Sequence, residues 1–300
     1  MTTDVAAPAR PSASLTTVAD VVAMMDERYP PAWADDWDRV GLVVGEPGEP
    51  AGRLLLAVDC VPETVDEAIA RGVDMLVVHH PLLLRGVHSV ATTSYKGSVV
   101  HRLIRAGIAL FVAHTNADVA APGVSDALAA RLELNDVRPL VPEDRRPGRH
   151  PGRIGWLAQP LPLAQLVTYV AERLPATHTG VRAAGDPVRR VANLAVMGGA
   201  GDGFLADATA AGVDAFLTAD LRHHPASEHL ASGGPALLDA AHWATERPWL
   251  DGLADELRAA LEVEAVVSDL VTDVWTVHGA APKPRIRPTG LAGSPDRIQG

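Results

Sequence analysis

Histidine and carboxylate side chains recur at matching places in two parts of the chain. Residues 108–118 read IALFVAHTNAD and residues 235–246 read PALLDAAHWATE, so that each apolar run ends in His, three further residues and a carboxylate. Upstream of each run, another apolar run leads to a His-His-Pro segment. Imidazole and carboxylate groups are suitable ligands for Zn, Mn, Fe and Co. The pattern therefore predicts a metal site at the seam between two related halves, with these residues as candidates: His79, His80, His114, Asp118, His223, His224, His242 and Glu246.

The pairs His114/Asp118 and His242/Glu246 are each separated by three residues. Two such side chains share a face only if the segment forms a helical turn, whereas in an extended strand they would lie ~13 Å apart. Because each pair follows a predicted strand, we expect a turn at the edge of a sheet. Either pair alone is explained as well by ordinary solvent-exposed residues, but their coincidence with the His-His-Pro segments favours ligands.

The adjacent residues His79 and His80 favour a site with two ions. Successive strand residues point to opposite faces, so neighbouring imidazoles do not easily bind one ion but can address two ions at the end of a strand. Pro81 keeps His80 extended. Two histidines in the mouth of a loop explain this segment equally well when it is taken alone.

The second His-His-Pro segment, at His223 and His224, allows two interpretations of equal weight: a ligand role, or histidines that begin a helix. We place His224 near the site as a proton donor or as a group that orients a ligand, and we give Asp59 an orienting role at the end of the first strand. The glycine-rich residues 198–203 could present N–H groups to a phosphate, although a tight turn from strand to helix explains them as well. For residues 36–42 (DWDRVGL), the favoured interpretation is that Trp37 fills a core or a subunit interface.

Composition excludes several classes of site. The formal charge of −11 argues against a general nucleic-acid binder. Cys60 is the only cysteine, which rules out an intramolecular disulfide and a cysteine-based zinc cluster, so any metal must be held by nitrogen and oxygen. The N-terminal stretch has no apolar core of a signal peptide, and no run approaches the ~18 apolar residues of a membrane span. We therefore expect a cytoplasmic protein.

The order of predicted elements is the same in both halves. Strands at 53–59, 75–78 and 108–113 alternate with helices at 64–71 and 96–106; strands at 193–197, 215–218 and 236–239 alternate with helices at 204–211 and 226–231. Two β-α-β-α-β units predict an α/β fold with internal duplication, forming one three-layer-like unit with the metal site between its halves. Ligands in such sheets gather at the carboxyl ends of the strands, where the histidine clusters fall.

The expected organisation has five parts: a disordered tail at 1–14, the first half at 15–137, a linker element at 138–192, the second half at 193–279, and a disordered tail at 280–300. The tails are rich in Pro, Ala, Ser, Gly and Arg and show no periodicity.

Six phrases resemble one known family, and the resemblance covers about residues 18 to 260. They are ADDWDRVGLVVG, VVHHPLLLRG, FVAHTNAD, VMGGAGDGF, FLTADLRHHPA and LDAAHWATE. The chain resembles the GTP cyclohydrolase 1 type 2 homologues, also called the Nif-three-like family of dinuclear-metal proteins. The resemblance implies two divalent ions, a toroidal homohexamer with the sites facing an inner cavity, and five ligands, of which the two carboxylates are candidates to bridge the ions: His79, His80, Asp118, His242 and Glu246. His114 and His224 match family positions beside the metals.

The leading functional hypothesis is a dinuclear divalent-metal-dependent hydrolase that acts on GTP or a related nucleotide. Two ions would lower the pKa of a shared water and polarise the substrate, and His224 or His114 would act as general acid or base. GTP, opened at its imidazole ring with loss of formate, is the substrate that the resemblance implies. The alternatives are a non-catalytic metal-binding scaffold or regulatory protein, and a metal-dependent phosphoesterase acting on another substrate. Five ligands for two ions leave open positions, which favours catalysis.

Overall fold

The structure, a computed structural model, describes residues 16–142, 145 and 148–279. The tails expected at 1–14 and 280–300 lie outside the described residues. The strands in the described part are β1 (Gly41–Val44), β2 (Arg53–Ala57), β3 (Met75–Val78), β4 (Ala109–Val112), β5 (Asn135–Pro139), β6 (Arg153–Pro162), β7 (Val181–Ala184), β8 (Arg190–Ala200), β9 (Ala215–Ala219), β10 (Ala236–Ala240) and β11 (Glu264–Val267). The helices there are α1 (Val18–Arg28), α2 (Pro62–Arg71), α3 (Tyr95–Ala106), α4 (Thr115–Asp118), α5 (Val124–Arg131), α6 (Leu163–Arg173), α7 (Leu205–Ala210), α8 (His223–Ala231) and α9 (His242–Ala260).

These strands form two sheets with parallel centres. The first has the order β1-β4-β3-β2-β11, in which β2, β3 and β4 run parallel. The second has the order β5-β6-β8-β9-β10-β7, in which β8, β9 and β10 run parallel. The predicted α/β class and the two units, β2-α2-β3-α3-β4 and β8-α7-β9-α8-β10, are confirmed.

The layers follow from period-two burial along the strands. In β2, Leu54 and Leu56 join a core that also contains Leu194 and Val196 of β8 and residues of α1, α5 and α9. Leu55 of β2 faces the other way, towards α2 and α3. The centre of the protein is therefore a layer of helices between two sheets, with α2 and α3 outside the first sheet and α7 outside the second.

The segment expected as a linker element, 138–192, carries regular structure. This segment supplies β6, α6 and β7, and β6 pairs antiparallel with β8 from Arg153↔Val196 onwards. Conversely, β11 comes from the expected second half but pairs with β2 in the first sheet. The segment 138–192 is thus an integral part of the second sheet, because its apolar strand needs a hydrogen-bonded neighbour and a covered face.

Within the described residues, no helix is long and apolar enough to cross a membrane.

Candidate metal centre

The carboxyl ends of the parallel strands position the candidate ligands. His79 and His80 directly follow β3, His114 follows β4 and precedes α4, and His242 begins α9 after β10. Such strand ends are where α/β sheets place their ligands. The structure thereby brings together the five residues predicted as ligands, from both halves of the chain: His79, His80, Asp118, His242 and Glu246.

Both His-x3-carboxylate segments form the predicted helical turn. The amide N–H of Asp118 donates to the carbonyl of His114 (3.1 Å) in the short helix α4. His242 and Glu246 occupy the first turn of α9, with 3.0 Å between Nε2 and Oε1. The spacing therefore places each pair on one helical face.

Glu246 lies at the centre of the cluster and is 2% exposed. Its Oε1 is 3.4 Å from Nε2 of His79, and its Oε2 is 3.0 Å from Nε2 of His80. Asp118 contributes on one side, with Oδ1 at 3.6 Å from Nε2 of His79. Among the described contacts, the carboxylate of Glu246 lies close to the imidazoles of His79, His80 and His242, whereas the carboxylate of Asp118 lies close to the imidazole of His79. These contacts define two candidate ligand groups that share Glu246: a first group of His79, Asp118 and Glu246, and a second group of His80, His242 and Glu246. His114 also lies close enough to His79 and His80 for these three imidazoles to hold an ion together.

Three buried atoms in this cluster have no hydrogen-bond partner among the described residues: Nε2 of His79, Oδ1 of Asp118 and Oε2 of Glu246. Buried polar atoms are nearly always paired, and each unpaired one costs about 1–3 kcal/mol. Nitrogen and oxygen atoms left without partners and gathered at one point are what divalent ions of the zinc and manganese type require. The residues present therefore fit a metal centre.

Each imidazole of the cluster is oriented through its Nδ1 atom. Nδ1 of His79 contacts the carbonyl oxygen of Ala113 (2.8 Å), and Nδ1 of His80 contacts Oδ1 of Asp59 (2.7 Å). His242 makes the same contact with Oδ2 of Asp220 (2.7 Å). Carbonyl and carboxylate oxygens only accept, so each Nδ1 carries the proton. When these imidazoles are neutral, their Nε2 lone pairs face the centre, which is the arrangement typical of metal-bound histidines.

His114 is held in the same way by a residue that the sequence analysis did not assign. Nδ1 of His114 lies 2.9 Å from Oδ1 of Asp38, which is 5% exposed and also accepts from the amide of Thr115 (3.0 Å). Burial alone would raise the pKa of Asp38, but the hydrogen bonds from His114 and Thr115 hold this pKa well below its ordinary value. The available signal was an acid in the unusual DWD phrase, three residues before β1.

The interpretation of Trp37 as a core residue is wrong. Its side chain is 54% exposed, and its ring lies edge-on to His114 with 5.8 Å between centroids. The buried member of the segment is Asp38, because its carboxylate has hydrogen-bond donors there. Burial of Trp37 in a subunit interface stays a prediction.

The glycine-rich segment brings backbone against the metal centre. Gly198 and Gly199 lie in β8 rather than in a strand-to-helix turn. A Cβ on Gly199, whose φ is +66°, would lie 2.5 Å from Oε1 of Glu246. The N–H of Gly199 donates to Oγ1 of Thr245 (2.9 Å), so it is not offered to a phosphate. The close approach of the β8 backbone to Glu246 therefore explains why residue 199 is a glycine.

The second His-His-Pro segment differs from the first. His223 and His224 begin α8, both are exposed, and their ring centroids are 5.2 Å apart. Within the part of the chain that the structure describes, no hydrogen bond or ion pair joins either ring to the five-residue cluster. Asp220, which precedes α8, orients His242 instead. The role of His224 as a general acid or base stays a prediction.

A cavity of about 850 Å³ opens on the cluster. His80, His114 and His242 line its floor, and the exposed rings of Trp37 and Trp275 contribute to its walls. Small-molecule sites are typically ≈ 300–1,000 Å³. The cavity therefore has the size of a small-molecule site beside the candidate metal ligands.

The pKa values of the residues in the cluster depend on burial and on the charges of their neighbours. Burial raises the pKa of Asp118 to about 7. Burial alone would lower the pKa of His242, but Glu246 and Asp220 raise it to about 10. The pKa of His80 is also raised well above its ordinary value, because Glu246 and Asp59 outweigh its burial. Without metal, the imidazole of His242 is therefore protonated at neutral pH.

We therefore expect proton release when the metal-free protein takes up Zn²⁺. Ligating imidazoles are neutral, so at pH 8 at least one proton per chain should leave, from His242, whose pKa is about 10. Because the folded-state pKa values are raised, this release should shrink as pH rises through about 10, the pKa of His242. Titration calorimetry in buffers of different ionisation enthalpy measures it. Heats that do not depend on the buffer would contradict the proton assignment.

Comparison with known proteins identifies a matching family model, related sequences and solved structures with the same fold. A model of the Duf34/NIF3 (NGG1p interacting factor 3) family matches residues 16–274. A GTP cyclohydrolase 1 type 2 homolog of Streptomyces coelicolor is 54% identical over 273 residues, covering 88% of this chain and 95% of that protein. A protein of the same name from Mycobacterium tuberculosis is 38% identical, covering 87% and 97%. The crystal structure of a Bacillus cereus protein related to NIF3 has the same fold, with a TM-score of 0.81 at 22% identity, and covers 89% of this chain and 100% of that one.

Proposed function

We propose that this chain, which belongs to the Duf34/NIF3 family, binds two divalent metal ions and hydrolyses GTP or a related nucleotide. The observation that carries the proposal is the set of buried, unpaired ligand atoms on His79, Asp118 and Glu246, beside the imidazoles of His80 and His242. His79, Asp118 and Glu246 would hold one ion, and His80, His242 and Glu246 the other. Zn, Fe, Mn and Co all suit these ligands.

Divalent ions at such a site supply Lewis acidity, which activates water and polarises a substrate oxygen or carbon–nitrogen bond. The protein's own contribution to proton transfer is the pair His114 and Asp38. A ring nitrogen of His114 lies within 4.8 Å of ring nitrogens of His79 and His80, and Asp38 accepts from Nδ1 of His114. A proton taken up at Nε2 is stabilised by the buried carboxylate, so His114 serves as general base and then as general acid.

The cavity supports a nucleotide-sized substrate. Trp37 and Trp275 offer exposed aromatic faces to a planar base, and the ion pair of Arg182 with Asp239 also lines the cavity. The names of the relatives motivate GTP, with hydrolytic opening of its imidazole ring and release of formate. A metal-dependent phosphoesterase uses the same constellation and is the second candidate.

Replacement of His114 by Gln should separate binding from catalysis. The variant keeps the five proposed ligands, so it should retain both ions, while loss of the general base should lower turnover about 10²–10⁴-fold. Formate release from GTP and hydrolysis of a phosphoester panel, measured on the Zn²⁺- and Mn²⁺-loaded protein, provide the rates. His79→Ala, which removes a ligand, is the comparison variant and should lose both metal and turnover.

Two outcomes would count against this function. If the fully loaded wild-type protein turned over none of these substrates, the alternative of a non-catalytic metal-binding scaffold or regulatory protein would be preferred. If His114→Gln were as active as the wild type, the proposed proton transfer would be wrong.

We further propose a toroidal homohexamer in the cytoplasm as the working form. Exposed apolar side chains on the surface support burial against other subunits; they include Val188, Val271 and Val277. Light scattering of the purified protein measures the subunit number.

A further inference from the structure

We infer that Thr272 is a positioning residue of the metal centre: its hydroxyl holds Asp59, which in turn holds His80 with Nε2 towards the ion shared with His242 and Glu246. The inference rests on the proposed metal binding and extends it to a segment at the far end of the chain.

Thr272, Asp59 and His80 form a continuous chain of hydrogen bonds. Oγ1 of Thr272 donates to Oδ2 of Asp59, and Oδ1 of Asp59 accepts from Nδ1 of His80 at 2.7 Å. Nε2 of His80 then lies 3.0 Å from Oε2 of Glu246. Both oxygens of Asp59 are thus engaged, one by the imidazole and one by the hydroxyl. Rotation of this carboxylate, whose side chain is 24% exposed, is opposed by the hydroxyl of Thr272.

The segment that carries Thr272 is itself anchored to the first sheet. Ser268, 3% exposed, follows β11; its amide donates to the carbonyl of Leu56 (2.8 Å), and its hydroxyl donates to Oε2 of Glu67 (2.5 Å). From there the chain reaches Asp59 and continues along the cavity wall, where Trp275 lies. The segment that carries Thr272 is therefore anchored to the first sheet four residues earlier, at Ser268.

A second carboxylate that orients a histidine of the cluster also accepts from a threonine hydroxyl, whereas a third such carboxylate does not. Asp38, which orients His114, accepts from the hydroxyl of Thr115. Asp220, which orients His242, is 59% exposed, and no donor other than His242 contacts its carboxylate among the described residues. His80 is thus the ligand in the second group whose orientation is fixed from behind by a neutral donor.

Thr272→Val removes the hydroxyl while keeping the side-chain shape. Partners that orient a metal-bound imidazole typically change metal affinity 10–100-fold, and Thr272 acts through Asp59. We therefore expect about tenfold weaker binding of one of the two Zn²⁺ ions, with the other unchanged. Competition with a chelator of known affinity measures both constants. Thr272→Ser should restore both, and Thr276→Val, the same change at an exposed position nearby, should alter neither.

Thr272→Ala is the second variant, for use if the valine variant does not fold, and it should reproduce the selective loss. If the wild-type protein binds two Zn²⁺ ions and Thr272→Val binds both with unchanged affinity, this inference alone would be overturned. Equal weakening of both ions would do the same, as would failure of Thr272→Ser to restore binding, because each would point to general disturbance of the segment. A wild-type protein that binds no Zn²⁺ would overturn the proposed function as well.

Discussion

Glu246→Gln is expected to remove both metal ions from the protein. The carboxylate of Glu246 lies within 3.4 Å of imidazoles in both ligand groups and is 2% exposed. The amide replaces one oxygen with a donor and removes the negative charge. The first ion would lose one of its two carboxylate ligands, and the second ion would lose its only one. Affinity for both Zn²⁺ ions should fall by more than about 100-fold, beyond the usual effect of an outer partner. Metal analysis after reconstitution and desalting measures the result.

Glu256→Gln is the matched control, because Glu256 lies on the same helix and pairs with Arg28 outside the cluster. It should retain wild-type metal content. Retention of one tightly bound ion by Glu246→Gln would show that the two groups do not share this carboxylate, and the assignment of Glu246 to both would then fail.

Gly199→Ala should disrupt the same centre from the backbone side. The added Cβ would lie 2.5 Å from Oε1 of Glu246 and 3.2 Å from Nε2 of His242, a contact that neither group can accept while binding metal. The positive φ of +66° adds strain of roughly 1–2 kcal/mol for a residue with a side chain. We expect metal binding more than about tenfold weaker and a free energy of unfolding lowered by at least about 1 kcal/mol.

Gly203→Ala serves as the control for Gly199→Ala. Gly203 lies in the same glycine-rich segment, but its added Cβ would have no neighbour within 4 Å and its φ is not positive. Chelator competition and urea unfolding of the three proteins separate the two effects. Wild-type metal affinity in Gly199→Ala would show that close approach of β8 does not matter to the centre.

The local part of the candidate site could be predicted from sequence because it depends on short spacings. A His and a carboxylate with three residues between them, placed after an apolar strand, require a helical turn to meet, and both turns are present at α4 and α9. The adjacent pair His79 and His80 follows β3 directly, so the end of one strand sends ligands to both groups.

The second His-His-Pro segment shows that a repeated tripeptide does not have to adopt the same backbone conformation. The tripeptide at His79 follows its strand without a gap, whereas at His223 three residues intervene after β9 and the tripeptide begins a helix. Asp220, with φ of +56°, occupies the turn and orients His242. The identity of three residues does not determine backbone conformation; the residues before them do.

The parts that the sequence could not predict involve partners distant in the chain. Asp38 meets His114 across 76 positions, and Thr272 meets Asp59 across 213. Pairing of β6 with β8, and of β11 with β2, likewise depends on tertiary packing rather than on local pattern. Apolar periodicity identifies such strands but does not indicate their neighbours.

The most direct test of the metal centre is the anomalous scattering of crystals of the Zn²⁺-loaded wild-type protein. The account predicts two zinc peaks per chain, one beside His79, Asp118 and Glu246 and one beside His80, His242 and Glu246. A single peak, no peak, or zinc bound away from Glu246 would contradict it.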